Sequence, residues 1–124
     1  MANIRHTVVI RKDLGMSAGL LSAQVAHISD AFMRDRIRDG KDFTIDEKDW
    51  MLNPYISVLA VDNPEELMLI STEAQDAKLQ VHEWTDLIPS KNLNRAMSDV
   101  LVGISIGPCD MDRVKAITGT LPLA

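Results

Sequence analysis

A chain of 124 residues at 13.8 kDa fits one domain spanning 1–124, and a domain of that size buries about two-thirds of its unfolded surface without a metal or disulfide staple. Hydrophobic residues are 46% and charged residues 25%, which excludes a disordered chain, and no apolar run approaches the ~20 residues that cross a bilayer. The net charge of −5 is uneven: residues 1–41 hold seven Lys and Arg against four Asp and Glu, whereas residues 42–90 hold two against eleven.

Taken in chain order, Thr7–Ile10 is a β-branched run that predicts a buried first strand. Gly15 to Gly19 is a small-residue turn, and Ser17 is placed to cap a helix running to about Arg38. On it Leu21, Val25, Ile28 and Phe32 form one buried stripe, with Leu20, Gln24, His27 and Ala31 beside it. Residues 39–54 are polar and broken, with a helical turn expected near Glu47 to Trp50 and the charge run 42–49 expected as a solvated loop. Tyr55–Val61 predicts a second strand covered on both faces. Asn63, Pro64 and Glu66 then supply a cap, a first-turn proline and a capping-pattern carboxylate for a helix to about Ala77. A third, half-exposed strand is expected at Val81–Trp84, followed by a loop from Asp86 to Ser98 with a helical turn at Leu93–Met97. A fourth strand, Leu101–Ile106, should stop at Gly107-Pro108, and Asp110 should cap a last helix ending at Gly119. The order β-α-β-α-β-β-α predicts an α/β three-layer sandwich, a mixed sheet of about four strands with helices on both faces.

Motif chemistry excludes more than it supplies. GxGxxG, GxxxxGK, HExxH and GxSxG are all missing, His6, His27 and His82 are scattered, and Cys109 is alone. No metal and no cofactor are expected. Met1 to His6 lacks the basic-then-apolar order of a signal peptide, so a cytoplasmic protein with no membrane association is expected.

Particular residues add a resemblance. Arg11-Lys12-Asp13-Leu14, then Gly15-Met16-Ser17-Ala18-Gly19, then Ala23-Gln24-Val25-Ala26-His27 resembles the opening of the type II peptidyl-tRNA hydrolases. In that family a strand ending in R-x-D-L leads through a Met- and Gly-containing turn to a helix bearing A-Q-x-x-H. The likeness returns in Asn63-Pro64-Glu65-Glu66-Leu67, Asp86, Gly107-Pro108 and the closing Val114 to Leu123. It implies the family's fold, a homodimer, and hydrolysis of the ester joining a peptide to the 3′ end of tRNA. The chain departs from the family at Leu20, where a lysine is usual, and in a longer loop carrying Lys91 and Arg95.

The resemblance puts Asp86, His27 and Gln24 forward as catalytic. Asp86 can take a proton from the attacking water, for which burial or a neighbour would have to raise its pKa; otherwise it is a loop carboxylate bonded to backbone amides. His27 and Gln24, three apart on one helix face, can orient water or donate to an oxyanion, or simply form a half-buried pair beside the sheet. Asp13 ties the turn together or meets substrate. Ser98 stands where the family has a Thr if counted from Asp86, whereas counting back from Gly107 puts Val102 there. Lys91 and Arg95 are exposed loop cations or replacements for the absent lysine. His82 and Trp84 are expected to pack. Three functions follow: a peptidyl-tRNA or aminoacyl-tRNA esterase, a non-catalytic binding protein of the same fold, or a hydrolase of small acyl compounds.

Overall fold

A computed structural model describes residues 3–89 and 97–124. The chain order is β1 (Ile4–Arg11), α1 (Ala18–Asp39), α2 (Ile45–Leu52), β2 (Ile56–Val61), α3 (Pro64–Asp76), β3 (Val81–Pro89), β4 (Met97–Asp110) and α4 (Met111–Thr118). The four strands form one mixed sheet in the order β2-β1-β4-β3, with β1 parallel to β2 and antiparallel to β4, and β3 antiparallel to β4. Helices cover both faces, so the fold is the expected three-layer α/β sandwich.

The strand period sorts the apolar residues. Val8, Ile10, Ala60, Ile88 and Val102 turn to one face and pack under Ile28, Leu21 and Val25 of α1. Val9, Leu59, Val61, Ile104 and Ile106 turn to the other and meet Leu67, Ile70 and Ala74 of α3 and Val114 of α4. Each fully buried Val, Ile or Leu in these layers contributes about 1.5–3 kcal/mol relative to exposure. Beside α1, Trp50 of α2 makes edge contacts with Phe32 and His6. Beyond α4 the chain returns to the outer edge of β2: Ala60 N–H donates to the Pro122 carbonyl at 3.0 Å and Ala124 N–H to that of Val58 at 2.9 Å.

The caps fall where local chemistry places them. Ser17 Oγ accepts from Leu20 N–H, Asn63 Oδ1 from Glu66 N–H and Asp110 from Asp112 N–H.

Three expectations are corrected. The run 42–49 is not a solvated loop: Thr44 and Glu47 form a reciprocal capping box that starts α2, and Glu47 is fully buried. Residues 86–98 are not a loop throughout, because β3 continues to Pro89 and β4 begins at Met97, so Met97 is strand rather than helix. The cause is cross-strand pairing, with Asp86 opposite Val100 and Leu87 opposite Asp99. Finally, β4 does not stop at Gly107-Pro108. It passes through that cis peptide and re-pairs with β1 at Arg5–Cys109 and Ile4–Asp110 after a register shift.

Candidate active site

The site forms where α1 crosses the outer strand β3. Period two puts His82, Trp84, Asp86 and Ile88 on the α1 face of β3, while Glu83 faces α3 and meets Ser71. Gln24 comes down from α1 between Trp84 and Asp86. Its Nε2 donates to Asp86 Oδ2 at 3.0 Å, and its Oε1 accepts from the indole Nε1 of Trp84 at 2.7 Å. Gln24 is only 3% exposed, so water cannot replace either partner freely.

Asp86 is half-buried, and its second oxygen accepts from Leu87 N–H at 2.8 Å. The hydrogen bond from Gln24, with that from the Leu87 backbone, holds its carboxyl below the ordinary Asp value of 3.8. The requirement for a raised pKa is therefore not met: the environment favours the carboxylate.

His27 is exposed one turn beyond Gln24, and its ring stacks on Trp84 with centroids 5.1 Å apart and planes 24° apart. None of the hydrogen bonds among the described residues joins its ring to Asp86. Arg34, two turns on, lays its guanidinium 5.0 Å from the Trp84 ring centre and donates to the His27 carbonyl at 2.6 Å. Trp84 is thus a polar hub as well as a packing residue. The sequence signal that could have revealed it is its position two residues before Asp86 on one strand face.

Asp13 stands at the carboxyl end of β1 and receives Arg11 in bidentate fashion, Nε at 3.0 Å and Nη2 at 2.6 Å. Arg11 also donates to the Leu101 carbonyl at 3.2 Å, and Leu101 pairs with Thr85, the neighbour of Asp86. The structure thereby links Asp13, through Arg11, to the ribbon that carries Asp86. Leu20, one helical turn before Gln24, packs into the apolar layer beneath α1. A cavity of about 110 Å³ opens between Arg11, Gly15, Met16 and Leu21.

Ser98 pairs through its backbone with Ile88, two pairs along the ribbon from the Asp86–Val100 pair, and its side chain lies outside the described residues. Val102 is fully buried and apolar, so it supplies no hydroxyl. Lys91 and Arg95 also lie outside the described residues. Among the described residues no group of His, Cys, Asp and Glu could hold a metal, and no helix is long and apolar enough to cross a membrane.

Glycine sets how closely α1 approaches the sheet here. A Cβ at Gly103, which pairs with Trp84, would sit 2.6 Å from the Val9 carbonyl oxygen and 2.9 Å from Ile28 Cδ1. Any side chain there would force β4 away from β1 at Val9 and displace the Ile28 side chain that packs down from α1.

A carboxylate presented to solvent and clamped by a buried amide suits ester hydrolysis, and comparison with known families agrees. The family model described as peptidyl-tRNA hydrolase PTH2 matches residues 4–124, essentially the whole chain, and the protein belongs to that family.

Proposed function

We propose that this chain hydrolyses the ester between a peptide and the 3′ ribose of tRNA, using Asp86 and Gln24. The observation that carries the reading is the 3.0 Å bond from Gln24 Nε2 to Asp86 Oδ2, made across two elements at a half-exposed carboxylate in a chain of this family. Asp86, ionised at neutral pH, accepts a hydrogen bond from water and takes its proton as the oxygen bonds to the ester carbonyl. The amide nitrogen of Gln24 carries two hydrogens, of which Asp86 uses one, so the other can donate to the developing oxyanion. Collapse breaks the bond to the ribose oxygen, which takes up a proton. The products are a peptide acid and tRNA with a free 3′ hydroxyl.

In this reading His27 meets the substrate on its way to the pair, Asp13 acts with Arg11, which holds the Leu101 carbonyl of the same ribbon, and Ser98, Lys91 and Arg95 are assigned to the tRNA end. The exposed cations Arg34 and Arg38 on the second half of α1 offer phosphate contacts. A homodimer in the cytoplasm belongs to the same reading, supported by exposed apolar side chains at Ile45, Leu52, Tyr55 and Ile56. Light scattering at tens of micromolar should give twice the chain mass, and a monomer would remove that part.

A second reading is a binding protein of the same fold. It is favoured by Leu20, which packs as an apolar side chain where the family's lysine is expected, and by the depressed pKa of Asp86, which makes a weaker base. The deciding experiment is release of peptide from N-blocked aminoacyl-tRNA at catalytic protein concentration. Turnover that is lost in Asp86→Asn supports hydrolysis. Salt-sensitive tRNA binding without turnover supports the binding protein, and turnover of small acyl esters with little response to salt supports the third function.

A further inference from the structure

We infer that Trp84 is a positioning residue for this site, its indole N–H fixing which end of the Gln24 amide faces Asp86. The inference rests on the reading of Gln24 and Asp86 as the reacting pair.

A glutamine amide has two ends of nearly equal size and opposite hydrogen-bonding character, so a buried one needs its surroundings to choose its orientation. Here the choice is made from both sides. The indole nitrogen only donates, and it lies 2.7 Å from Gln24 Oε1. The ionised Asp86 only accepts, and it lies 3.0 Å from Nε2. Turning the amide over would set donor against donor at Trp84 and acceptor against acceptor at Asp86. Removing the indole N–H takes away half of this lock and leaves a buried carbonyl oxygen without a partner, a state that proteins avoid.

Trp84 is itself held. The ring of His27 stacks on it, Arg34 lies against it, and Arg34 is anchored to the His27 carbonyl, so with Gln24 three residues of α1 grip one residue of β3. His27 therefore acts on the site through Trp84 as well as from its own position. The lock has a chemical consequence at Asp86. With the amide hydrogen directed at its oxygen the carboxylate is favoured, and with the amide free to rotate that stabilisation weakens.

The test follows the Asp86 carboxyl and the Trp84 indole by NMR as pH is lowered, which needs no substrate and no activity. In the wild-type chain the Trp84 Nε1–H resonance should shift with the Asp86 carboxyl midpoint. In Trp84→Phe the Asp86 midpoint should rise, in the direction also produced by Gln24→Ala. The same variant should lose about tenfold in kcat with KM little changed, and the acid limb of its pH–rate profile should move upward. An unmoved Asp86 midpoint in folded Trp84→Phe overturns the inference. So does a Trp84 indole that ignores Asp86 in the wild type, a result that stands even if the variant fails to fold. A moved midpoint with unchanged kcat leaves the lock in place and instead sinks Asp86 as the reacting base.

Discussion

α1 carries two carboxylate clusters, and they are built from the same parts to different ends. Near its middle, Gln24 binds Asp86 of β3; near its carboxyl end, Arg36 binds Glu47 of α2, with Gln80 beside them. In both, side-chain donors hold a carboxyl below its ordinary pKa. For Glu47, burial alone would raise it, and the bonds from Arg36, Thr44 N–H and Gln80 overcome that. The difference lies in saturation. Glu47 is fully buried and both of its oxygens are taken by Arg36, one of them also by Thr44 N–H at 2.8 Å and the other by Gln80 at 3.1 Å. Asp86 is half-buried and has one donor on each oxygen among the described residues, leaving room for water. A saturated carboxylate glues elements together, whereas an unsaturated one can still meet a substrate.

The comparison breaks most visibly at Glu47. Glu47→Ala leaves Arg36 and Gln80 without their partner and should cost about 3–5 kcal/mol, read from the urea midpoint. An effect below 1 kcal/mol would show that the two clusters are not distinguished by burial. Leu20→Lys acts on the other cluster, placing a cation one turn from Gln24. If hydrolysis is the function, it should raise kcat/KM on N-blocked aminoacyl-tRNA about a hundredfold or more, the scale of about 2.7–4 kcal/mol for an oxyanion-stabilising group.

His6 sharpens the comparison through pH. It is fully buried with both ring nitrogens unpartnered, and burial, reinforced by His82, lowers its pKa from 6.5 to about 4. The unfolded chain therefore binds a proton that the folded chain refuses between those values, so stability is full above pH 6.5 and falls as pH drops to 4. The loss is about 3 kcal/mol over that window, whereas Glu47 and Asp86, with depressed pKa values, give up their contributions only below the ordinary carboxylate range. Urea midpoints at pH 7, 5.5 and 4.5 should show the fall, and His6→Phe should flatten it. The smallest effect belongs to the stability of Asp86→Asn, which should lose only about 1 kcal/mol, the scale of one hydrogen bond, while turnover disappears. A large destabilisation would make Asp86 a second structural carboxylate.

What the sequence made legible is what local chemistry decides. Ser17, Asn63-Pro64-Glu66 and Asp110 announce three helix starts because a cap needs only its own turn, and the β-branched runs of β1 and β2 announce buried strands. α2 shows in the sequence only as a helical turn near Glu47 to Trp50, because its charges read as solvated. Thr44 and Glu47 cap each other locally, but the fate of the Glu47 carboxylate was decided by Arg36 and Gln80, which are distant in sequence. Asp86 reads as the start of a loop because Pro89, Asn92 and Asn94 follow it, yet its pairing with Val100 keeps it within β3. The resemblance singles out Gln24, His27 and Asp86, which the structure brings to one face of β3. It could not find Trp84, whose bond to Gln24 spans 60 positions and exists only after α1 docks on β3.

The return of residues 121–124 to the outer side of β2 has a consequence for how copies of this molecule can meet. A sheet grows by adding strands to unpaired edges, and growth without limit requires two such edges. Here Pro122 and Ala124 occupy backbone groups of Val58 and Ala60, so that edge is taken by the chain itself. Only β3 ends the sheet without a strand partner among the described residues. Two molecules joined along β3 about a two-fold axis would consume both free edges at once, and a third copy would find none. The tail makes edge-to-edge association self-terminating, so a strand-rich chain can pair without being able to polymerise into a fibre by the same contact.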